Sequence, residues 1–429
     1  MGFNTLLLIN LALALVALLR LRPSLFIISV NLIVTLRSLA NIAEFGQPTL
    51  QSYLPAALYS PENLSIAFNI FLIGTVMLAV TIALPGRRRP PQPLPGLPRS
   101  ALIVLGIYFV AVIVSTRTIL THEYTDPDRI VFNFNLSGIH ALLVGLVLYE
   151  VFRRVASGLL KPFSGVLLLF LLFLATDYLK GGTGFPTGAL IGAVLLFLRF
   201  EPLRGRRFGM LIGSLAVLVL TAFLIRGVRV AVHSGGTQAV QEFADSALLK
   251  EESRAQSAEG SESIANGSQY AAHVLECISL YEAGVSRQWR SIYSPIEYTF
   301  KPSALVKALD LDRSEEAAWE LARYYIHGGG VFVLGELYWN GGYFCLVIVF
   351  AGILFFSFCC DTRSRDSAFW FFAVCLFDVG LLQGFGYGFA QVSRGILNAL
   401  IAYPVVLLLS RSKNKLLMIG PAPVARATS

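Results

Sequence analysis

The chain has 429 residues, of which 55% are hydrophobic and only 14% charged, with 34 Lys+Arg against 26 Asp+Glu and a net charge of +8. A soluble domain carries about 25% charged residues, so this chain has too little polar surface to cover itself in water, and its hydrophobicity excludes disorder. A basic balance at this hydropathy points to basic loops on one face of a membrane rather than to nucleic acid.

The apolar run from Leu6 lacks the charged start and cleavage site of a signal peptide and is read as a first span. A spanning helix needs about 20 mainly apolar residues. Eleven segments qualify, at 5–19, 24–39, 64–84, 101–120, 136–152, 162–179, 187–200, 208–225, 341–360, 368–388 and 396–410. Lys and Arg gather in cytoplasmic loops. Arg20 and Arg22, Arg87 to Arg89 with Arg99, Arg153 and Arg154 with Lys161, Arg204 to Arg207, Arg363 and Arg365, and the tail from Arg411 all fall on one face if the N-terminus is outside and the C-terminus inside. An even number of spans breaks this pattern. The prolines after Arg89 make an extended cytoplasmic linker. With this topology the inner face carries +15 and the remainder −7, so the basic excess is an orientation signal.

The chain then divides into an N-terminal membrane bundle of about 8 spans (1–225), a large external loop with short helices (226–340), C-terminal spans (341–410) and a cytoplasmic tail (411–429). The loop holds 14 acidic residues between Glu242 and Glu320. Helical patterning appears at 239–249 and 315–325, whereas 251–268 is polar and reads as a mobile loop. Structureless loops beyond about 15 residues are commonly functional or disordered, which directs attention to this segment. The five cysteines and five histidines show no disulfide framework and no metal-ligand spacing.

Charges at the mouth of a bilayer are functional hypotheses by default. On the outer side these are Arg37, Arg117, Arg129, Lys180, Arg226, Arg229 and Arg394. Arg226 and Arg229 are three apart and share a helix face. Guanidinium forks grip phosphate oxygens in pairs, so Arg117, Arg226, Arg229 and Arg394 are candidates for holding a phosphorylated lipid head group. Snorkelling to the interface is the plain alternative. Lys180 opens the run Gly181-Gly182-Thr183-Gly184-Phe185-Pro186-Thr187-Gly188, whose backbone N–H groups suit an anion or simply a tight turn. Where the external loop returns to the membrane, His327 precedes three glycines and Glu336 lies among apolar neighbours, followed by Tyr338 and Trp339. A desolvated carboxyl there suits a general base, or a structural partner for an arginine. The two aromatics suit sugar contact or an interfacial belt.

These features together resemble the Wzy-type O-antigen polymerases, the oligosaccharide repeat unit polymerases. The likeness rests on the glycine loop after Lys180, on Arg226 and Arg229 at the loop's opening, on Tyr293-Ser294-Pro295-Ile296 and Phe300-Lys301-Pro302, and on Arg394 before the last span. Its most specific element is Gly335-Glu336-Leu337-Tyr338-Trp339-Asn340-Gly341-Gly342, which resembles the family's Gly-Glu-x-Tyr-x-Asn-x-Gly signature. Many members carry an arginine inside the glycine loop, where this chain has Thr183.

The resemblance implies an all-α polytopic protein of the bacterial inner membrane, a GT-C-like bundle of about eleven spans with one large periplasmic loop. It implies a glycosyltransferase that needs no metal, nucleotide or other cofactor. Such an enzyme transfers a growing oligosaccharide from undecaprenyl diphosphate to the non-reducing end of another lipid-linked repeat unit, alongside a chain-length regulator and a repeat-unit flippase. Arg117, Lys180, Arg226, Arg229 and Arg394 then hold the diphosphate, Glu336 or His327 is the base, and Tyr338 and Trp339 contact sugar. Two other readings stay open. An O-antigen ligase shares the donor but transfers to lipid A-core. A transporter or flippase commonly shows two related halves, which this sequence lacks.

Overall fold

The computed structural model describes residues 2–45, 60–86, 93–94, 96–115, 137–156, 261–292, 317–321, 323–324, 331–364, 366–410 and 417–418. The spans expected at 162–179, 187–200 and 208–225 lie outside these residues. So do the glycine loop 181–188, the helix expected at 239–249 and the segment 293–302.

The described residues are helical apart from one short strand pair. The helices are α1 (Phe3–Leu19), α2 (Pro23–Phe45), α3 (Pro61–Ala83), α4 (Arg99–Ser115), α5 (Ser137–Ala156), α6 (Ser261–Glu282), α7 (Ala317–Leu321), α8 (Val333–Arg363), α9 (Ala368–Tyr387) and α10 (Phe389–Ser410). The strands β1 (Pro93–Leu94) and β2 (Leu417–Met418) pair antiparallel. The eight expected spans within reach each fall on one of these helices. Three segments, Pro23–Glu44, Pro61–Ala83 and Val333–Arg363, are long and apolar enough to cross a membrane. Leu8 of α1, Ile107 of α4 and Phe344 and Phe355 of α8 are each more than 60% exposed. Side chains of this kind find their solvent in lipid rather than in water. The architecture is all-α, and its apolar helices fit a membrane-embedded protein.

The chain forms two compact units, one joining Met1–Gln92 to Glu262–Tyr403 and the other joining Pro93–Ser261 to Pro404–Ser429. In the first, α3 starts where Ser60 Oγ accepts from Asn63 N at 3.1 Å, with Pro61 at the first helical position. Its C-terminal carbonyls, which have no partner inside the helix, are met by two arginines from the α1–α2 turn. Arg22 donates to Thr81, Ile82 and Leu84 carbonyls at 3.1, 2.7 and 2.6 Å, and Arg20 to Ile82 at 2.6 Å. Asp361, near the end of α8, accepts from Ser24 N and Leu25 N at the start of α2. Between helices, Asn10 Nδ2 donates to Thr75 Oγ1 at 2.8 Å and Ser24 Oγ to Asp378 Oδ1 at 2.6 Å, polar ties suited to an apolar bundle.

In the second unit the buried Glu150 of α5 takes Arg153 Nη2 at 2.7 Å, Arg154 Nε at 2.9 Å and Leu97 N at 3.3 Å. This ion pair network closes the α5 end against the segment leading into α4.

Three sequence expectations change. The segment 251–268 was expected as a loop, but from Ser261 it is helical as part of α6. Ala271, Val274, Leu275 and Ile278 are buried on α6, and this apolar face carries the helix back through the polar residues before it. Of the helix expected at 315–325, Ala317–Leu321 is helical, whereas Arg323 and Tyr324 form a turn. The span expected at 341–360 begins earlier, at Val333, and is interrupted at Gly341 and Gly342, whose backbones are non-helical.

Candidate functional site

Every residue from Val331 to Asn340 is buried. A break in a helix leaves carbonyls without intrahelical partners, and in lipid each one is costly. Here the chain following α6 supplies the partners. Arg287 N donates to Trp339 O at 3.1 Å and Trp289 N to Asn340 O at 3.2 Å, with Ser286 Oγ within reach of both carbonyls. Asn340 is the hub, because its Oδ1 accepts from Ser291 N at 3.0 Å while its Nδ2 donates to Glu336 O at 2.7 Å.

Four other residues of the signature stretch are also fixed by neighbours. Gly335 lies against α6 so closely that an added Cβ would sit 2.9 Å from Val274 Cα. Gly342 has φ +62, and an added Cβ there would meet Tyr281 Oη at 2.7 Å. Tyr338 Oη donates to Glu282 Oε1 at 2.8 Å. Trp339 is fully buried, donates Nε1 to Val285 O at 2.6 Å, and carries the Arg287 guanidinium 5.2 Å over its ring. Arg287 in turn pairs with Glu320 of α7 at 2.6 Å. The polar atoms of Tyr338 and Trp339, the two residues expected to contact sugar, are engaged with Glu282 and Val285. A second aromatic group lies next to this pair and is more exposed: Tyr343 is 37% and Phe344 69% exposed, with the Trp289 and Phe344 rings in an edge contact at 6.0 Å.

Two of the three left-handed non-glycine residues among the described residues fall at the same place, the third being Leu21 in the α1–α2 turn. Gln288 and Trp289 have φ of 49 and 67, a region costly for residues with side chains and commonest at functional sites. Buried carboxyls gather there as well. Glu336 is 2% exposed, and its Oε2 accepts from Phe389 N at 2.6 Å. Glu276 of α6 is 1% exposed, and burial pushes its carboxyl up to about 8. The thiol of the buried Cys277 is also raised, by burial and by the nearby Glu276 and Glu336.

Of the site residues expected from sequence, Glu336, Tyr338 and Trp339 come together in this hub. Arg394 lies on α10, in its second turn. Arg117, Lys180, Arg226, Arg229 and His327 lie outside the described residues. Sequence reasoning missed Glu276, Arg287 and Trp289. A signal for Glu276 was present in the spacing of Ala271, Val274, Leu275 and Ile278, which makes a helix of that stretch and places a carboxyl within it. Among the described residues no group of three or more His, Cys, Asp or Glu is placed to hold a metal ion. No protein-family model matches the chain, and neither does any curated protein or solved structure.

Proposed function

We propose that the chain is a polysaccharide polymerase of the bacterial inner membrane, an eleven-span GT-C-like bundle with its N-terminus outside and its C-terminus inside. The observation that carries this reading is the Gly335–Gly342 stretch. It resembles the polymerase signature, and it forms a buried, broken helix held by the segment that follows α6. Broken helices within membrane proteins are where binding sites for charged substrates are built. The topology is supported at the ends of the helices. Arg20 and Arg22, the end of α3 and Asp361 meet one another, and the Lys/Arg bias assigns all of them to the cytoplasm. The pairing of β1 with β2 likewise needs the proline linker and the tail on one side.

In the proposed reaction the acceptor's non-reducing-end hydroxyl attacks the anomeric carbon of the donor sugar. A new C–O glycosidic bond forms, and the bond from that carbon to the diphosphate oxygen breaks. The electron pair leaves with undecaprenyl diphosphate, and the hydroxyl proton passes to a base, for which the sequence nominates His327 and Glu336. Arg117, Lys180, Arg226, Arg229 and Arg394 stabilise the charge that builds on the leaving diphosphate.

The test uses full-length protein in liposomes with lipid-linked repeat units extracted from a strain lacking the gene. The expected products are free undecaprenyl diphosphate and glycans longer than one repeat. Arg226→Ala and Arg229→Ala should each leave only single units. Polymer of normal length from both variants would sink the assignment of these arginines. Transfer only when lipid A-core is supplied would make the protein a ligase.

A further inference from the structure

The last helix begins directly after one non-helical residue, Gly388, at φ +106. The first N–H groups of a helix have no partner within it. That of Phe389 is taken by Glu336 Oε2, across 53 residues of chain. The helix dipole favours a carboxylate at this end, and a bond to a charged acceptor is the stronger kind. Glycine is required at 388, since an added Cβ would lie 2.9 Å from the same oxygen and the backbone is left-handed.

Glu336 itself is held from behind. Its amide donates to Phe332 O at 3.0 Å, its carbonyl accepts from Asn340, and Gly335 beside it is pressed on α6. The carboxylate is therefore a fixed post on the hub, and α10 is seated on it. The backbone of Arg394 lies five residues beyond Phe389, so its position relative to the hub follows from that seat.

We propose that Glu336 is a positioning residue, whose carboxylate fixes the start of α10 and thereby the backbone position of Arg394 in its second turn. This deepens the polymerase reading and rests on it. Glu336 then has to accept a hydrogen bond, not a proton, and the base is another group.

Three variants of the full-length protein in liposomes test this. Glu336→Gln keeps an acceptor oxygen, so a substantial part of polymer formation survives and the pH profile runs parallel to the parent's. Glu336→Ala and Gly388→Ala each lose about tenfold or more, the scale of one charge-assisted bond, with a raised apparent KM for the lipid donor. A folded Glu336→Gln protein that makes no polymer, or whose pH profile loses a limb, overturns the proposal. So does full activity in Glu336→Ala or Gly388→Ala. If Glu336→Ala fails to fold, the other two variants still decide. Hydrogen exchange separates the two levels: the Phe389 amide should lose protection in Gly388→Ala, and unchanged protection overturns the tie itself. A parent protein that releases no undecaprenyl diphosphate overturns the polymerase reading and, with it, the role in catalysis.

Discussion

Two places in the first unit end helices with charged side chains, and they do so in opposite manners. At the α1–α2 turn, Arg20 and Arg22 cover the last carbonyls of α3, and Asp361 covers the first amides of α2. The charges there answer partial charges left by the helices themselves, and the one left-handed residue, Leu21 at φ 55, makes the turn between them. At the hub, α8 is broken in its course, two non-glycine residues hold left-handed backbones, and Glu276 and Glu336 are buried. Helix capping accounts for the charges at the α1–α2 turn, the buried Arg22 included. The hub carries more, two adjacent left-handed residues and two buried carboxyls, and proteins retain such features where they act.

This contrast can be broken by experiment. The largest effect is expected at the closest approach in the hub. Gly335→Val drives a branched side chain into the α6 backbone and should cost about 3 kcal/mol by overpacking, read as a lowered melting temperature in detergent. A variant that melts like the parent would mean that α6 and α8 are not in contact as described. Next comes Arg22→Ala, which removes three carbonyl contacts and the guanidinium 5.4 Å over the Phe358 ring. It should cost about 2 kcal/mol, while KM for the proposed lipid donor stays put. A shifted KM would show that the α1–α2 turn takes part in function after all.

The smallest effect is a slope. The Glu276 carboxyl is raised by burial from its ordinary 4.5 to about 8. The folded protein therefore keeps a proton that the unfolded chain releases above pH 4.5. Its contribution to stability is complete below that pH, declines as pH rises toward 8, and levels off beyond. Glu276→Gln should abolish that decline, differing little from the parent near pH 5 and exceeding it near pH 8. Parallel melting curves across this range would place Glu276 in contact with water.

The long helices were legible in sequence because crossing a bilayer needs a long apolar run, which is a local property. Helices α2, α3 and α8 are of this kind. The ends were less legible. The apolar run of α8 was expected to start at 341, because Glu336 and Asn340 interrupt the hydropathy, although both are buried and bonded. The start of α6 was hidden by serines and glutamates that follow the helix only because residues further along bury an apolar face. The signature stretch stood out by composition, but its partners did not. Tyr338 and Trp339 look like surface aromatics until Glu282 and Val285 are brought to them by a fold spanning more than fifty residues. Partners at that separation leave no local pattern to read.

The bond between Glu336 and Phe389 also sets an order of assembly. At about 5–20 residues per second, the ribosome makes Phe389 several seconds after Glu336. During that interval α9 and the start of α10 have yet to reach the hub, so the start of α8 cannot take its final form. The hub is among the last places to close, and a chain truncated before residue 389 would leave the insertion machinery with a carboxylate whose final seat never arrives.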